Sequence, residues 1–136
     1  IGCAQMERIE ELTGRKRDIL GYYRSRLECI AGLTMNPEPA HTVNGAWMPT
    51  VVFERERRVT REALVGAFSA ENIDARVFFW PLTSLGIFPP KGENPIAWSL
   101  SARAINLPSY HDITQEDLDR VASVISKLAG KEDHRI

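Results

Sequence analysis

The sequence contains little of the chemistry that most often marks a function. Its 136 residues include only two cysteines and three histidines, and none of these residues has the spacing of a zinc-binding motif. Cys3 and Cys29 are both predicted to lie in the first helix, where a separation of about 39 Å along a straight helix excludes a disulfide between them. We therefore expect two free thiols and no metal site.

An excess of charge of one sign and long apolar runs are also missing. The 17 basic and 18 acidic residues give a formal net charge of -1, whereas nucleic-acid-binding proteins usually carry a clear positive excess. No apolar stretch approaches the roughly 20 residues that span a bilayer, and the N-terminal segment lacks the apolar core of a signal peptide. We therefore expect a cytoplasmic protein with neither a nucleic-acid nor a membrane partner.

Motifs for self-sufficient catalysis are absent as well. The sequence has no phosphate-binding glycine-rich loop, no G-x-S-x-G and no H-E-x-x-H. Acidic pairs such as Glu10 and Glu11 suit the first turn or the solvated face of a helix. No residue of this chain is therefore predicted to be catalytic.

The densest charge lies in the segment ERERRVTRE, residues 54–62. Its four arginines have the charge to hold a phosphate. They are Arg55, Arg57, Arg58 and Arg61. Three interleaved glutamates reduce their field, so a solvated turn is the favoured interpretation and phosphate binding is the alternative.

Hydrophobic periodicity predicts a long helix at the start of the chain. Apolar residues recur at spacings of three and four from Ile1 to about Leu33. The pattern begins without a capping residue, so we expect the chain to have been cut from a longer protein. A loop rich in Pro, Asn and Gly follows, and then the strand WMPTVVFE. Pro49 either places this strand at a sheet edge or limits its pairing to the residues after it.

The remaining pattern alternates helices and strands. Thr60 is predicted to cap the second helix, and IDARVFF is predicted to be a strand. Asn94 and Pro95 open a short helix, INLP is a brief extended piece, and Thr114 opens the last helix. This order predicts one α+β domain, an α/β two-layer sandwich.

The segment DARVFFWPLTSLGIFPP combines an arginine, three consecutive aromatic residues and several prolines, a composition more typical of a binding surface than of a buried strand. Strand alternation puts Arg76, Phe78 and Trp80 on one face, and Val77 and Phe79 on the other, where they can fill the core. One interpretation is an edge-strand arginine that packs on aromatic rings. The other is a surface on which an arginine and rings bind a phosphate, a sugar or a base. The residues alone leave both open.

Three segments together carry a resemblance that covers nearly the whole chain. They are IGCAQMERIEELTGRKRDILGYYRSRL, ALVGAFSAENIDARVFFWPL and SARAINLPSYHDITQEDLDRVASVI. In this order they resemble the C-terminal part of the pyridoxal-phosphate-dependent sugar aminotransferases of the DegT/DnrJ/EryC1/StrS family. RVFFWPL and RAINLPSYHDIT are similar to the perosamine-synthase-like branch, which aminates 4-keto-6-deoxy nucleotide sugars.

The resemblance implies the type I aminotransferase fold, with a large cofactor-binding domain and a small C-terminal domain. This chain then corresponds to the small domain, preceded by the long interdomain helix. The implied division is a linking helix over residues 1–33, the small domain over 34–130 and a tail over 131–136. Residues 1–136 form a single domain in this scheme.

The resemblance also implies partners that this chain lacks. Pyridoxal phosphate is the cofactor of the intact enzyme, and the lysine that binds it belongs to the absent large domain. Lys16, Lys91, Lys127 and Lys131 occupy no comparable position, so we expect the chain alone to bind no cofactor and to be inactive. The intact enzyme would be a homodimer that uses a nucleotide sugar and an amino donor, usually glutamate.

For the site, the resemblance implies that the segment around Phe78 lines one wall of the active-site cleft. Arg76, Phe78 and Trp80 are therefore the predicted substrate-binding residues. Many family members have a histidine shortly after the P-L of this segment, whereas Thr83 and Ser84 stand there in this sequence. No substrate contact is therefore carried over to that position.

A protein of a different class stays open as an alternative. The same small-domain fold can serve as a free-standing ligand-binding or interaction module without a catalytic partner domain. In the aminotransferase interpretation the first helix bridges two domains, so Met6, Ile9 and Leu12 should be more exposed than their residue types suggest, or else covered by a second copy.

Overall fold

The computed structural model describes residues 2–88 and 94–130. The elements follow in this order: α1 Gly2–Met6, α2 Ile9–Leu27, β1 Leu33–Met35, β2 Thr50–Phe53, α3 Arg61–Ala70, β3 Arg76–Val77, α4 Pro95–Arg103, β4 Ala104–Asn106 and α5 Gln115–Gly130. Two short 3₁₀ turns lie at Arg55–Arg57 and Leu82–Ser84. The predicted α+β class is confirmed, and the predicted tail 131–136 lies outside the described residues.

The four strands form one antiparallel sheet in the order β1-β2-β4-β3. Val51 of β2 lies opposite Met35 on one side and Ile105 on the other, and all three side chains are buried. Because Pro49 immediately precedes β2 and that strand is paired on both sides, the edge position is wrong. The proline instead limits the pairing to the residues after it.

The helices supply the other side of the core. Ile19, Tyr23 and Leu27 of α2 are fully buried, and their helix packs against α5. The buried stripe of α5 has the predicted spacing of three and four. Its members are Leu118, Val121, Ala122, Val124, Ile125 and Ala129. Burial of Tyr23 raises the pKa of its phenol, whose hydroxyl donates to the carbonyl of Pro108 over 2.8 Å.

The helix predicted from Ile1 to Leu33 differs from the observed structure. It is interrupted between Met6 and Ile9, and it ends at Leu27 so that Leu33 begins β1. Gly32 makes this turn with φ +72°, and its carbonyl accepts from the amide of Glu54 over 2.8 Å. A Cβ at Gly32 would lie 2.7 Å from Nε of Arg57, a side chain that can shift, so the positive φ is the main reason for glycine at this position.

The exposure expected for the start of the chain is confirmed. Met6 is 65% exposed and Ile9 39%, while Leu12 is only partly buried. No residue of α1 is buried. The apolar side of this region is therefore not covered by the described part of the chain.

The caps predicted from the sequence are also present. The hydroxyl of Thr60 accepts from the amide of Ala63 over 3.2 Å and begins α3. Thr114 accepts from the amide of Asp117 over 3.1 Å, and its hydroxyl donates to the Asp117 carboxylate, which lowers the pKa of that carboxyl. Asn94 and Pro95 precede and open α4 as predicted.

We predict that Thr60→Ala lowers the free energy of unfolding by about 1 kcal/mol, because it removes the only side-chain cap of α3 in the described structure. The matched control is Thr13→Ala, since the Thr13 hydroxyl bonds the carbonyl of Ile9 within α2 and alanine is the better helix former. Urea unfolding of both variants measures the difference. Equal stabilities would contradict the assigned cap.

Candidate functional site

Residues 77–88, here called the aromatic segment, begin at the last residue of β3 and then leave the sheet along the surface. Six apolar side chains beyond β3 are exposed to solvent along this segment. They are Phe79, Trp80, Leu82, Leu85, Ile87 and Phe88, with Ile87 81% exposed. Ile96 and Trp98 of α4 extend the same apolar character. An exposed apolar surface of this kind marks a place where a ligand or another protein surface binds.

The shortness of β3 explains this exposure. Only Arg76 and Val77 pair with β4, opposite Asn106 and Ile105. Beyond Val77 the backbone follows no ladder, and a 3₁₀ turn begins directly after Pro81. The predicted alternation over IDARVFF therefore stops after two residues. The expectation that Val77 and Phe79 fill the core is wrong, since they are 38% and 58% exposed.

Arg61 of α3 attaches the aromatic segment to the fold. Its Nη1 donates to the carbonyl of Phe78 over 3.0 Å and to the carbonyl of Ser101 over 2.9 Å. The guanidinium carbon lies 4.1 Å from the centroid of the Trp80 ring. That ring in turn contacts Trp98 with 5.9 Å between centroids. One arginine therefore links α3, α4 and the aromatic segment.

The three residues predicted to bind substrate are placed as follows. Arg76 forms an ion pair with Asp74 over 2.8 Å, and both side chains are about three-quarters exposed. Phe78 is half-buried and contacts Phe79, and Trp80 is 52% exposed. The sequence predicted that Arg76 would lie beside Trp80, but Arg61 takes this position. Because β3 ends at Val77, Arg76 and Trp80 do not share one face of a strand. Their role in substrate binding stays a prediction.

A cleft of about 300 Å³ lies beside Phe78 and Phe79. Its other wall comes from the loop 44–48, with Asn36 and Asn106 below. Asn106 is 2% exposed, accepts from the Thr50 hydroxyl over 2.8 Å and donates to the carbonyl of Val77 over 3.4 Å. These bonds satisfy the buried amide and fix the wall of the cleft.

A second groove, of about 530 Å³, is lined in part by Trp80. We call it the basic groove because four arginines line it. They are Arg55, Arg58, Arg61 and Arg103. Glu62 is the one carboxylate in this lining, and among the described residues no carboxylate forms an ion pair with any of the four arginines. The sequence missed Arg103, which lies far from the arginine cluster along the chain.

The described lysines do not fit pyridoxal phosphate. Lys16 donates to the backbone carbonyl of Ser109 and lies 3.3 Å from its hydroxyl, so it is used to hold a loop. Lys127 pairs with Glu71 over 3.3 Å on the surface of α5. Lys91 and Lys131 lie outside the described residues.

The remaining predictions concern metals, thiols and membranes. Within residues 2–88 and 94–130, no group of three ligating side chains has the geometry to hold a metal ion. Cys3 and Cys29 are both exposed free thiols, although Cys29 lies beyond the end of α2. None of the described helices has the length and apolarity needed to cross a membrane.

Comparison with known proteins places this fold in a family. The profile of the DegT/DnrJ/EryC1/StrS aminotransferase family matches residues 1–126. GDP-perosamine synthase from Vibrio cholerae is 32% identical over 130 residues, which cover 92% of this chain and 35% of that protein. The chain thus spans about a third of the length of the curated relatives it matches.

Solved structures show the same fold. The aminotransferase TlmJ from Streptoalloteichus hindustanus superimposes with a TM-score of 0.83 at 20% identity, covering 96% of this chain and 35% of that one. DesI, solved with its TDP-sugar product, gives a TM-score of 0.84 at 22% identity, covering 95% and 34%. By their names, one of these proteins is a synthase of GDP-perosamine, one is an aminotransferase and one forms a TDP-sugar product.

The chain belongs to the DegT/DnrJ/EryC1/StrS aminotransferase family, over nearly its entire length. The resemblance predicted from the sequence is thereby confirmed, as is the small-domain fold of a type I aminotransferase. The coverage of about a third of each relative agrees with the C-terminal part of such an enzyme.

We predict that Arg61→Met lowers the free energy of unfolding by about 1.5–3 kcal/mol, because two carbonyls lose a charged donor. Trp80 also loses its cation, so the intrinsic tryptophan emission should shift toward that of a solvated indole. Urea unfolding and the emission spectrum of the folded variant measure the two effects.

Arg76→Met is the matched control for this variant. Its ion pair with Asp74 is exposed, and exposed pairs contribute about 0–1 kcal/mol. We expect its stability and emission to stay close to those of the unmodified chain. If both variants lose the same stability, Arg61 does not have the anchoring role described above.

Proposed function

We propose that this chain is the C-terminal part of a pyridoxal-phosphate-dependent enzyme that transfers an amino group to a keto-deoxy nucleotide sugar, as in the synthesis of polysaccharides and O-antigens. The observation that carries the proposal is the 32% identity to the GDP-perosamine synthase of Vibrio cholerae over 92% of the chain. Because the chain spans 35% of that relative, the activity is proposed for the intact enzyme and not for this part alone.

The geometry supports a role of the aromatic segment in substrate binding. Phe79 and Trp80 present ring faces that the described residues leave half-exposed or more. Such faces pack against sugar rings and bases, whereas Arg76, directly before the segment, offers a guanidinium for a phosphate. The Arg76–Asp74 ion pair is exposed to solvent and therefore weak, so a phosphate can replace Asp74 as the partner of Arg76 at little cost.

The other components of the proposal follow from the family. The cofactor and its lysine belong to the rest of the enzyme, in agreement with the structural use of Lys16 and Lys127. Glutamate is the proposed amino donor, the cytoplasm the proposed compartment, and a homodimer the proposed assembly. The exposed apolar side chains of Met6 and Ile9 are available to contact the large domain or the second subunit.

The direct test is an assay of the intact enzyme with a 4-keto-6-deoxy nucleotide sugar, glutamate and pyridoxal phosphate. The proposal expects an amino sugar nucleotide and an equal amount of 2-oxoglutarate. An intact enzyme that binds the cofactor but aminates only amino-acid-derived keto acids would contradict the substrate class.

A free-standing binding module is the second candidate, because this chain buries an extensive core of its own. The two candidates differ in what surrounds the chain. A gene product in which a lysine-containing cofactor domain is fused to this segment favours the enzyme. A gene product limited to these 136 residues favours the module.

For the intact enzyme we predict that Arg76→Ala lowers kcat/KM for the nucleotide sugar tenfold or more, mainly through a higher KM. Loss of a charge-assisted contact of about 1.5–3 kcal/mol in binding has this effect. Steady-state kinetics at varied nucleotide sugar measure it. Thermal unfolding should be almost unchanged, since the side chain is exposed.

The control for this variant is Arg26→Ala. Arg26 is also an exposed arginine, paired with Asp119 over 3.0 Å, but it lies on α2 and far along the chain from the aromatic segment. Its variant should retain the KM of the unmodified enzyme. A normal KM for Arg76→Ala together with a clearly lower melting temperature would instead identify Arg76 as a packing residue.

We predict that this chain alone forms no specific adduct with pyridoxal phosphate. Lys16 is engaged by Ser109 and Lys127 by Glu71, so neither is placed in a site for the phosphate of the cofactor. Borohydride reduction followed by peptide mass mapping should show only weak labelling spread over several lysines. Stoichiometric labelling of a single lysine would contradict the prediction.

A further inference from the structure

The basic groove has an arrangement that the proposed function does not use. Its guanidinium groups come from three separate parts of the chain: the 3₁₀ turn and the residue after it, α3 and α4. Glu54 and Glu56, which were expected to reduce the field of the arginines, do not line the groove. Within residues 2–88 and 94–130 they form no ion pair with its arginines either. Among the described residues, one carboxylate therefore faces four guanidinium groups in the groove lining, and the positive charge is only partly neutralised.

Three of the four arginines are held in place by neutral acceptors. Arg61 donates to two backbone carbonyls. Arg103 donates to the carbonyl of Phe53 and, over 3.0 Å, to the hydroxyl of Ser99. Arg55 donates to that same hydroxyl over 3.1 Å. Neutral acceptors orient a guanidinium without cancelling its charge, so these bonds prepare the groove for an anion.

Arg58 is the adaptable member of the set. It follows the 3₁₀ turn in the left-handed conformation, with φ 51°, and its side chain is exposed. Among the described residues its guanidinium has no hydrogen-bond or ion-pair partner in the structure. It lines the groove next to the N-terminal turn of α3, a helix of ten residues whose dipole adds to the positive potential.

We propose that the basic groove binds a diphosphate group, with the arginines on its oxygens and the exposed face of Trp80 beside the attached nucleoside or sugar. A diphosphate fits better than a single phosphate because its oxygens are spread over two phosphorus centres, and the guanidinium groups are likewise spread over three elements. The groove volume of about 530 Å³ accommodates more than one phosphate.

The identification of this diphosphate with that of the nucleotide sugar rests on the proposed function. Two related proteins are named for nucleotide-linked sugars, the GDP-perosamine synthase and DesI with its TDP-sugar product. The groove and the aromatic segment share Trp80, so one ligand reaches both. Anion binding itself depends only on the arginines and is tested without any sugar.

The test is calorimetric titration of this chain with inorganic pyrophosphate at low ionic strength. We expect one saturable site that weakens as salt is added. Arg58→Gln should raise Kd about tenfold, because it removes one charged contact. A tenfold change in Kd corresponds to about 1.4 kcal/mol of binding free energy. Circular dichroism should show an unchanged fold for this variant, since the Arg58 side chain holds nothing in place.

Two matched variants define the charge effect. Glu62→Gln removes the one carboxylate that lines the groove and should lower Kd several-fold, opposite in sign to Arg58→Gln. Arg8→Gln removes an arginine that does not line the groove and that pairs with Glu11, and it should leave Kd unchanged. Equal effects of Arg8→Gln and Arg58→Gln would show nonspecific charge attraction and overturn the proposal.

Competing anions distinguish the chemistry of the site. Inorganic phosphate and the dicarboxylate succinate should each bind at least about tenfold more weakly than pyrophosphate. Succinate binding as tightly as pyrophosphate would overturn the proposal and identify a site for carboxylates, such as those of another part of the same enzyme. Absence of saturable pyrophosphate binding would overturn it as well.

The outcome is separable from that of the proposed function. If pyrophosphate does not bind but the intact enzyme aminates a nucleotide sugar, the groove assignment alone is wrong. If pyrophosphate binds as expected but the intact enzyme does not use nucleotide sugars, the groove is confirmed as a diphosphate site and the substrate class is wrong.

Discussion

The Arg61 guanidinium is the contact on which the candidate site depends. It donates to carbonyls of the aromatic segment and of α4, and it lies 4.1 Å from the centre of the Trp80 ring. β3 contributes only two paired residues, so the ladder alone holds this region weakly. A charged donor shared by two carbonyls replaces the missing strand pairs, and it leaves the aromatic faces uncovered. The Arg61 contacts thus explain both why the aromatic segment stays attached to the fold and why its rings remain exposed.

The Arg61 side chain contributes both to the attachment of the aromatic segment and to the basic groove. Toward the fold, Arg61 satisfies the carbonyls of Phe78 and Ser101. Toward solvent, its charge remains part of the basic groove because both acceptors are neutral. A carboxylate in either position would give a stronger local bond but would remove the positive field. Structural anchoring and anion binding are therefore compatible only with this choice of acceptors.

Much of the fold was predictable because its signals are local. The caps at Thr60 and Thr114 and the stripe of α5 follow from spacings within a few residues, and all three are present. The end of α2 was missed because the turn at Gly32 depends on a distant partner. The carbonyl of Gly32 accepts from the amide of Glu54 and its Cα lies beside the side chain of Arg57, and neither contact can be read from spacings within a few residues. Residues 77–80 were misassigned for a related reason: alternation predicts side-chain direction only where a neighbouring strand continues.

The candidate site shows the same limit in its chemistry. The aromatic rings and the arginine cluster of residues 55–61 are visible in the sequence, but their pairing is not, since Arg61 rather than Arg76 lies over Trp80. Composition also suggested that interleaved glutamates neutralise the cluster. In the folded chain, only Glu62 of the three glutamates reaches the groove lining, whereas Arg55, Arg58 and Arg61 all do. Charge balance along a chain thus does not determine the field at a surface; which side chains share a groove does.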